Sequence, residues 1–240
     1  MATIDDRVPF VQVELGNRAD LSAGNPSRIQ NWLWQSYLQV GMSYKFSESE
    51  FTDNDQWQQN QDSIDYPDNC RAILNVAFFR HIDGTAIKIN WKNIAYLRRY
   101  PTNGASGQQN VGPPAIIASF NQQIFVRPLC DQQVYDAVID FWQKPIQDPS
   151  GIGATALLVP DDWLEVIDMG AMLRGHVSLG EIDKAQALQQ TLFGYTVPTS
   201  NKFVPGLMAT MYNRRQAEAP GMDYNIQPTS AKRSYTNTAG

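Results

Sequence analysis

The chain has 240 residues, and its 19 Lys and Arg against 24 Asp and Glu give a net charge of −5. Hydrophobic residues make up 42%, which is enough for a substantial core, and six Trp, ten Tyr and ten Phe exclude a fully disordered chain. The acidic balance disfavours a protein that coats nucleic acid, because neutralising phosphates takes an excess of Lys and Arg.

The first 25 residues contain apolar side chains in imperfect alternation and are punctuated by glycines, which predicts an extended N-terminal arm. Helical spacing of apolar residues then predicts an amphipathic helix over 26–41, with Asn25-Pro26 at its start. Alternation over 44–51 predicts a half-buried strand, and the stretch 52–63, rich in Gln, Asn and Asp, is expected to be a loop.

Strand patterns continue to about residue 142. Residues 73–82 and 85–91 flank the hairpin signal Asp83-Gly84. Three further strands, over 115–120, 123–128 and 133–142, are predicted to form a meander.

The hydrophobic period changes to 3.6 residues from Pro160 onward, which predicts helices over 160–175, 178–193 and 202–217. Ser178 and Glu181 have the spacing of a capping box. The predicted fold class is therefore α+β: a helical-bundle core within a domain over 26–218, an antiparallel β region inserted at about 44–142, and extended arms at 1–25 and 219–240.

Signatures of catalysis were sought and not found, since no nucleotide-binding, zinc-protease or serine-hydrolase motif occurs. Asp161 and Asp162 are explained by a helix start, where acids complement the macrodipole. Neither His81 nor His176 has a second ligand at metal-binding spacing, and Cys70 and Cys130 are expected to be small core residues. We therefore expect no enzyme activity, no metal and no cofactor.

The N-terminal residues carry acids where a signal peptide has bases, and no run approaches the roughly 18 apolar residues of a membrane span. The expectation is a protein made in the host cytoplasm, without a membrane partner.

Three groups of residues are candidates for contact with partners. Trp34 lies off the apolar stripe of its helix and Trp57 lies in a polar stretch, so both are predicted to be interface anchors. Residues 48–65 carry six acids and no Lys or Arg, which predicts either a solvated loop or a rim that faces DNA or the tail. The acids proposed for such a rim are Glu48, Glu50, Asp53 and Asp55.

The third group lies in the C-terminal region. Residues 201–240 carry five Lys and Arg against two acids, a net of +3, whereas the rest of the chain has a net of −8. A segment that cannot fold alone can lie in a partner's groove through aromatic anchors and charge-assisted contacts. The candidate partner-binding residues are Arg214, Arg215, Tyr224, Lys232, Arg233 and Tyr235.

An ordered series of motifs runs from residue 26 to about 195. In chain order the motifs are R-I-x-x-W-L-x-x-x-Y (Arg28, Ile29, Trp32, Leu33, Tyr37), F-S-E-S-E-F (46–51), Y-P-D-N-C-x-A-I (66–73), L-R-R-Y-P (97–101), G-P-P-A-I-I-A (112–118), V-R-P-L-C-D (126–131), V-Y-D-A-V-I-D-F-W (134–142) and L-V-P-D-D-W (158–163). The series resembles the head-to-tail adaptor, or connector, proteins of tailed bacteriophages.

The resemblance implies a structural virion protein at the portal vertex, in the neck of the particle. Such proteins form a homo-oligomeric ring, typically a dodecamer, between the portal protein and a tail, stopper or nozzle protein. The ring retains packaged DNA and later conducts it during ejection, without binding it specifically. An acidic protein suits such a conduit, because a lumen that repels phosphates lets DNA slide.

Two alternatives remain open at this stage. One is a virion module that binds or processes carbohydrate, with exposed Trp residues and the pair Asp136 and Asp140. Those residues are four apart on a predicted strand, roughly 13 Å, which exceeds the usual separation of glycosidase carboxylates. The other is an internal virion protein that is ejected with the DNA.

Overall fold

The computed structural model describes residues 1–99, 110–131 and 133–218, and for 214–218 the backbone alone. Seven α-helices occur in these ranges: α1 (Ile4–Glu14), α2 (Ala19–Ser22), α3 (Arg28–Ser43), α4 (Ile94–Arg98), α5 (Leu164–Leu179), α6 (Ile182–Phe193) and α7 (Leu207–Glu218). The same ranges contain twelve strands: β1 (Glu50–Trp57), β2 (Ser63–Asp65), β3 (Cys70–Arg80), β4 (Ala86–Ile87), β5 (Asn90–Trp91), β6 (Val111–Gly112), β7 (Ile116–Phe120), β8 (Gln123–Arg127), β9 (Leu129–Cys130), β10 (Tyr135–Gln143), β11 (Gly194–Thr196) and β12 (Phe203–Pro205).

The predicted fold class, an α+β protein with a helical-bundle core, is wrong. The chain is a mixed α/β protein that divides into two compact units. A mainly helical unit combines residues 1–49 with the described residues from Lys144 onward, and a β unit consists of Glu50–Gln143. Each unit has its own hydrophobic core, so the β region is not an insertion into a bundle that holds the protein together.

The helical unit is centred on α3 and α5. The predicted helix over 26–41 is confirmed as α3, where Ser27 and Gln30 form a capping box at the N-terminus. Its apolar face is buried, and the Tyr37 hydroxyl accepts a hydrogen bond of 3.1 Å from the Leu158 backbone N–H. The predicted helix over 160–175 is confirmed as α5, which begins at Leu164 after a short 3₁₀ turn and extends to Leu179.

The prediction of an extended N-terminal arm is wrong, because Ile4–Glu14 form the helix α1. Thr3 caps this helix and makes a capping box with Asp6. Ile4 and Val11 are fully buried in the core of the helical unit, so they are part of its packing. The C-terminal arm predicted over 219–240 lies outside the described residues.

The boundary between α5 and α6 also differs from the prediction. Ser178 lies inside α5, and Gly180, whose backbone is in the left-handed conformation, follows the last residue of that helix. Glu181 precedes α6 but makes no side-chain cap on it. Glu181 instead accepts a hydrogen bond from His176 at 2.6 Å and one from Lys184 at 3.0 Å. The predicted helix over 202–217 begins only at Leu207, because Phe203–Pro205 pair with Gly194–Thr196 in a two-stranded ribbon.

The β unit is built from two four-stranded sheets that share one core. The strand orders are β1-β10-β3-β4 and β2-β8-β7-β5. The predicted meander is wrong in its last strand, since β7 and β8 form a hairpin but β10 pairs with β1 and β3 in the other sheet. The unit is also not purely antiparallel, because β5 runs parallel to β7 and β6 parallel to β9.

Residues 50–57 form the strand β1, so the predicted strand over 44–51 and the start of the predicted loop over 52–63 are both wrong. The seven residues from Glu50 to Gln56 are all exposed. The sequence of this strand therefore lacks the alternation of apolar and polar residues that marks a half-buried strand. Pairing with β10, from Glu50 opposite Trp142 to Trp57 opposite Tyr135, defines the strand.

Candidate functional site

The two Trp residues predicted as interface anchors differ in their surroundings. Trp57 is fully buried in the core of the β unit, with its ring centroid 5.8 Å from those of Phe78 and Tyr135. Its prediction as a surface anchor is therefore wrong, because the polar sequence around it belongs to an exposed edge strand that ends at this one buried residue. Trp34 is half-buried and packs against Tyr37 and the core of the helical unit.

Four exposed carboxylates lie along one side of the β unit, on the two edge strands β1 and β2. They are Glu50, Asp53, Asp55 and Asp65, and we call this set the acidic edge. The fourth predicted rim acid, Glu48, lies before β1 in a short 3₁₀ turn and is half-buried. Since β1 and β2 are in contact, the acidic edge spans both sheets.

The register of β1 against β10 places Asp53 and Asp55 on a side of the sheet where charged residues are unusual. Asp55 lies opposite Ala137 and Asp53 opposite Ile139, and both of those β10 residues are buried. Residues paired across two strands share a face, so these carboxylates lie on the core-facing side of the sheet and remain exposed only because β1 is its edge. Charges in this position also prevent edge strands from pairing indiscriminately.

The carboxylate pair considered for glycan chemistry is already engaged by neighbouring side chains. Asp136 lies 2.9 Å from the Nδ1 atom of His81. Asp140 accepts a hydrogen bond of 2.7 Å from the Thr52 hydroxyl and a longer one from Asn75. Both carboxylates are thus bound by side chains of the same sheet. They make no contact with each other that would pair a general acid with a nucleophile.

Four exposed bases lie in the segment that runs from β4 to the end of α4, a feature that the sequence analysis missed. Lys88 follows the edge strand β4, Lys92 follows the edge strand β5, and Arg98 and Arg99 end α4. Lys88 and Lys92 lie beside the outer strands of the two sheets, and we call these two residues the basic edge; α4, which ends with the two arginines, contacts β7 and β8. The signal was present in the sequence, since residues 84–99 contain four bases and no acid, but only the topology places Lys88 and Lys92 at the outer strands.

Exposed aromatic side chains accompany these four bases. Tyr96 is 45% exposed and lies 5.5 Å from the Lys92 ammonium, and Phe120 is 46% exposed and lies 5.1 Å from the Arg98 guanidinium. Trp91 on β5 is 36% exposed. Within the described residues, none of the four bases forms a salt bridge, so their charges are available to a partner.

The ribbon formed by β11 and β12 is a second exposed surface, in the helical unit. It presents large apolar side chains to solvent, with exposures of 45% for Tyr195, 60% for Phe203 and 38% for Val204, beside Phe193 at the end of α6, which is 42% exposed. A two-stranded ribbon gains little stability alone, and exposed apolar groups of this size commonly mark contact with another protein.

The predicted partner-binding residues of the C-terminal region are only partly placed. Arg214 and Arg215 belong to α7, whose backbone is described there without their side chains. Tyr224, Lys232, Arg233 and Tyr235 lie outside the described residues. Their proposed role stays a prediction.

The remaining chemistry-bearing side chains serve the fold. Burial raises the pKa of the Cys130 thiol to about 12, and His176, which is 5% exposed, is held by Glu181. In the part of the chain that the structure describes, no cluster of three His, Cys, Asp or Glu could hold a metal ion. No helix in that part is both long enough and apolar enough to cross a bilayer.

In the part of the chain that the structure describes, the surfaces that stand out are an acidic edge and a basic edge on the β unit and an apolar ribbon on the helical unit. Comparison with models of known protein families and with curated proteins gives no match.

Proposed function

We propose that this chain is a structural subunit of a tailed-phage virion, a head-to-tail adaptor that forms a ring between the portal and the tail. The observation that carries the proposal is the ordered series of motifs over residues 26–195, which resembles that family. The ring typical of the family has twelve subunits, and its partners are the portal protein on one side and a tail, stopper or nozzle protein on the other.

The exposed ribbon supports a role in assembly. Phe203 and Tyr195 leave apolar surface that none of the described residues covers, at a cost of about 25 cal/mol for each Å² in water. A subunit that is buried on several sides in a ring removes this cost. The ribbon therefore suits a protein whose working state is an oligomer.

The charge of the protein is compatible with a DNA conduit. A net charge of −5 means that a ring of identical subunits repels the phosphate backbone overall, so DNA passes without specific binding. A rim of Glu48, Glu50, Asp53 and Asp55 facing the DNA or the tail is one arrangement of this charge. The assignment of these acids to the lumen stays a prediction, and it is an alternative to the subunit contact proposed below.

A reconstruction of the virion neck tests the proposal directly. The expected result is a ring of this chain directly beneath the portal, with a central channel wide enough for duplex DNA, which is about 20 Å across. Finding the chain as a single copy, away from the portal vertex or free inside the capsid would overturn the proposal.

A further inference from the structure

The β unit has opposite charges on its two lateral sides. β1 and β2 are the strands at one end of the two sheets, and β4 and β5 are the strands at the other end. Each sheet has four strands, so three interstrand spacings of about 4.8 Å separate the acidic edge from the basic edge, roughly 14 Å. Asp53 and Asp55 on β1 are thus separated by the width of the sheet from Lys88 and Lys92, which follow the outer strands β4 and β5.

We propose that the basic edge of one copy of the chain binds the acidic edge of the next copy, head to tail. This inference rests on the ring proposed above and identifies the surfaces that join neighbouring subunits in it. A contact between two different surfaces of identical subunits is heterologous, and it generates a closed ring when the rotation from copy to copy divides a full turn.

The composition of the basic edge fits a protein partner. Tyr96 lies beside Lys92, so its ring would be buried as Lys92 meets a carboxylate. Aromatic residues and Arg are enriched in protein interfaces, and charge complementarity speeds and orients their association. On the outer strand β1, the Asp53 carboxylate accepts a hydrogen bond of 2.9 Å from the Asn54 backbone N–H and the Asp55 carboxylate one of 2.7 Å from the Gln56 backbone N–H, so both are held in place on the edge.

A second copy is favoured over nucleic acid because the same unit carries the matching acids. Single-stranded nucleic acid is also recognised by cations alternating with aromatic rings, and that possibility is an outcome of the test. A purely protective role for the β1 acids, which would keep the edge from pairing with other strands, is another outcome.

The experiment uses two full-length variants with reversed edges. The first carries Asp53→Lys and Asp55→Lys, and the second carries Lys88→Glu and Lys92→Glu; all four residues are exposed. Glu14→Lys with Asp162→Lys is the matched control, because it makes the charge change of the first variant at exposed sites of the helical unit. Thermal unfolding establishes that each variant is folded, and native mass spectrometry counts subunits on purified portal rings of the same phage.

The expected result is loss of assembly for each edge variant alone and recovery for their equimolar mixture. Alone, each variant brings like charges together at every contact, so occupancy of portal rings should fall at least about tenfold. In the mixture, the Lys edge of the first variant meets the Glu edge of the second, and their unaltered edges also match. Alternating subunits then close an even-numbered ring, while the control assembles like the wild type.

Each other outcome overturns one proposal. If the wild type and the control form no ring on portals, the proposed function fails. If the wild type forms rings and both edge variants assemble equally well, or if the mixture gives no recovery, the edge-to-edge contact is wrong while the ring stands. Binding of a single-stranded oligonucleotide that only Lys88→Glu with Lys92→Glu abolishes, together with normal assembly of the first variant, would assign the basic edge to nucleic acid.

Discussion

Arg7 and Asp168 are 161 residues apart in sequence and form an ion pair that joins α1 to α5. The Arg7 Nε atom donates to Asp168 at 3.1 Å, and a second guanidinium nitrogen binds the other carboxylate oxygen. The Asp168 side chain is only 6% exposed. Burial raises the pKa of Asp168, and the neighbouring Arg7 guanidinium partly offsets that rise.

Replacing Arg7 with Met is expected to destabilise the helical unit by about 3 kcal/mol near neutral pH, because it leaves a buried carboxylate without its partner. Urea unfolding measures this change. Arg18→Met is the matched control: Arg18 pairs with Asp20 in the same two-bond geometry, but both side chains are about half exposed. That pair should contribute less than about 1 kcal/mol. Equal effects of the two substitutions would contradict a special role for the buried pair.

The pH dependence of the Arg7→Met deficit has a definite sign. Asp168 holds its proton to higher pH in the folded chain than in the unfolded chain, so its contribution to stability is lost as pH rises through its folded pKa. Removing Arg7 raises that folded pKa further. The deficit relative to the wild type should therefore be largest above the folded pKa and should shrink in acid, where Asp168 is protonated. A deficit that grows on acidification would contradict this account.

At the scale of elements, the junction between α6 and the ribbon is set by a close backbone approach. Gly194 has a φ of +88°, and a β-carbon there would overlap the carbonyl oxygen of Val204 on the paired strand. Gly180, at the end of α5, also has a positive φ of +75° but has nothing within 4 Å of a β-carbon position. The two glycines share the conformational requirement and differ in the space around them.

Gly180→Ala is expected to cost about 1 kcal/mol, which is the usual penalty for a positive φ. Gly194→Ala is expected to cost about 3 kcal/mol, because overlap with the backbone adds to that penalty and separates β11 from β12. Differential scanning calorimetry of the two variants compares them directly. Equal melting temperatures would show that the ribbon adjusts freely around an added methyl group.

The C-terminal tail is the second element with a testable role. Deleting 221–240 should leave a folded protein, because the two cores are already built from described residues, the last of which are Met208 and, packed against the core, Met211 and Tyr212. The loss of Tyr224, Lys232, Arg233 and Tyr235 should abolish attachment to portal-bearing heads, which sedimentation with purified heads measures. Replacing the segment with a Gly-Ser sequence of equal length is the control for length. Wild-type attachment of the truncated chain would contradict the docking role.

Elements with one buried face could be predicted from the sequence, and elements without one could not. The apolar stripe of α3 and the alternation in β10 are visible directly. The helix α1 was missed although Ile4, Val11 and Leu15 have helical spacing and Thr3 with Asp6 has capping spacing. Two features of the sequence argued against a helix here: Pro9, which lies inside α1, and a loosely alternating apolar pattern.

The candidate surfaces were harder to predict than the elements. The acids of β1 could be counted in the sequence, but their position on an edge strand depends on pairing with β10, some 80 residues later. Trp57 was misplaced for the same reason, because local polarity says nothing about a partner strand. The basic edge follows strands of two different sheets, so only the sheet order shows that Lys88 and Lys92 both lie beside an outer strand.

At the scale of the whole molecule, the separate cores predict that the β unit folds by itself. Glu50 and Trp142 are register partners on adjacent strands, so both ends of the unit leave it at one place. A fragment of residues 50–143 should therefore show cooperative thermal unfolding and dispersed amide resonances. Disrupting its core with Phe78→Asp is the negative control, since Phe78 is fully buried. A collapsed fragment without cooperative unfolding would contradict the independence of the cores.

The discontinuous course of the helical unit also dictates an order of events during synthesis. A ribosome releases all of the β unit once residue 143 has left the exit tunnel, whereas α3 still lacks α5, its main packing partner. Domains generally fold as units as they emerge, so the β unit should become native while the apolar faces of α1 and α3 are still exposed to solvent. In that interval α1 and α3 are the natural clients of chaperones that bind near the tunnel exit. Slowing translation between residues 143 and 180 would prolong this vulnerable state, and the yield of native protein would fall without any change in sequence.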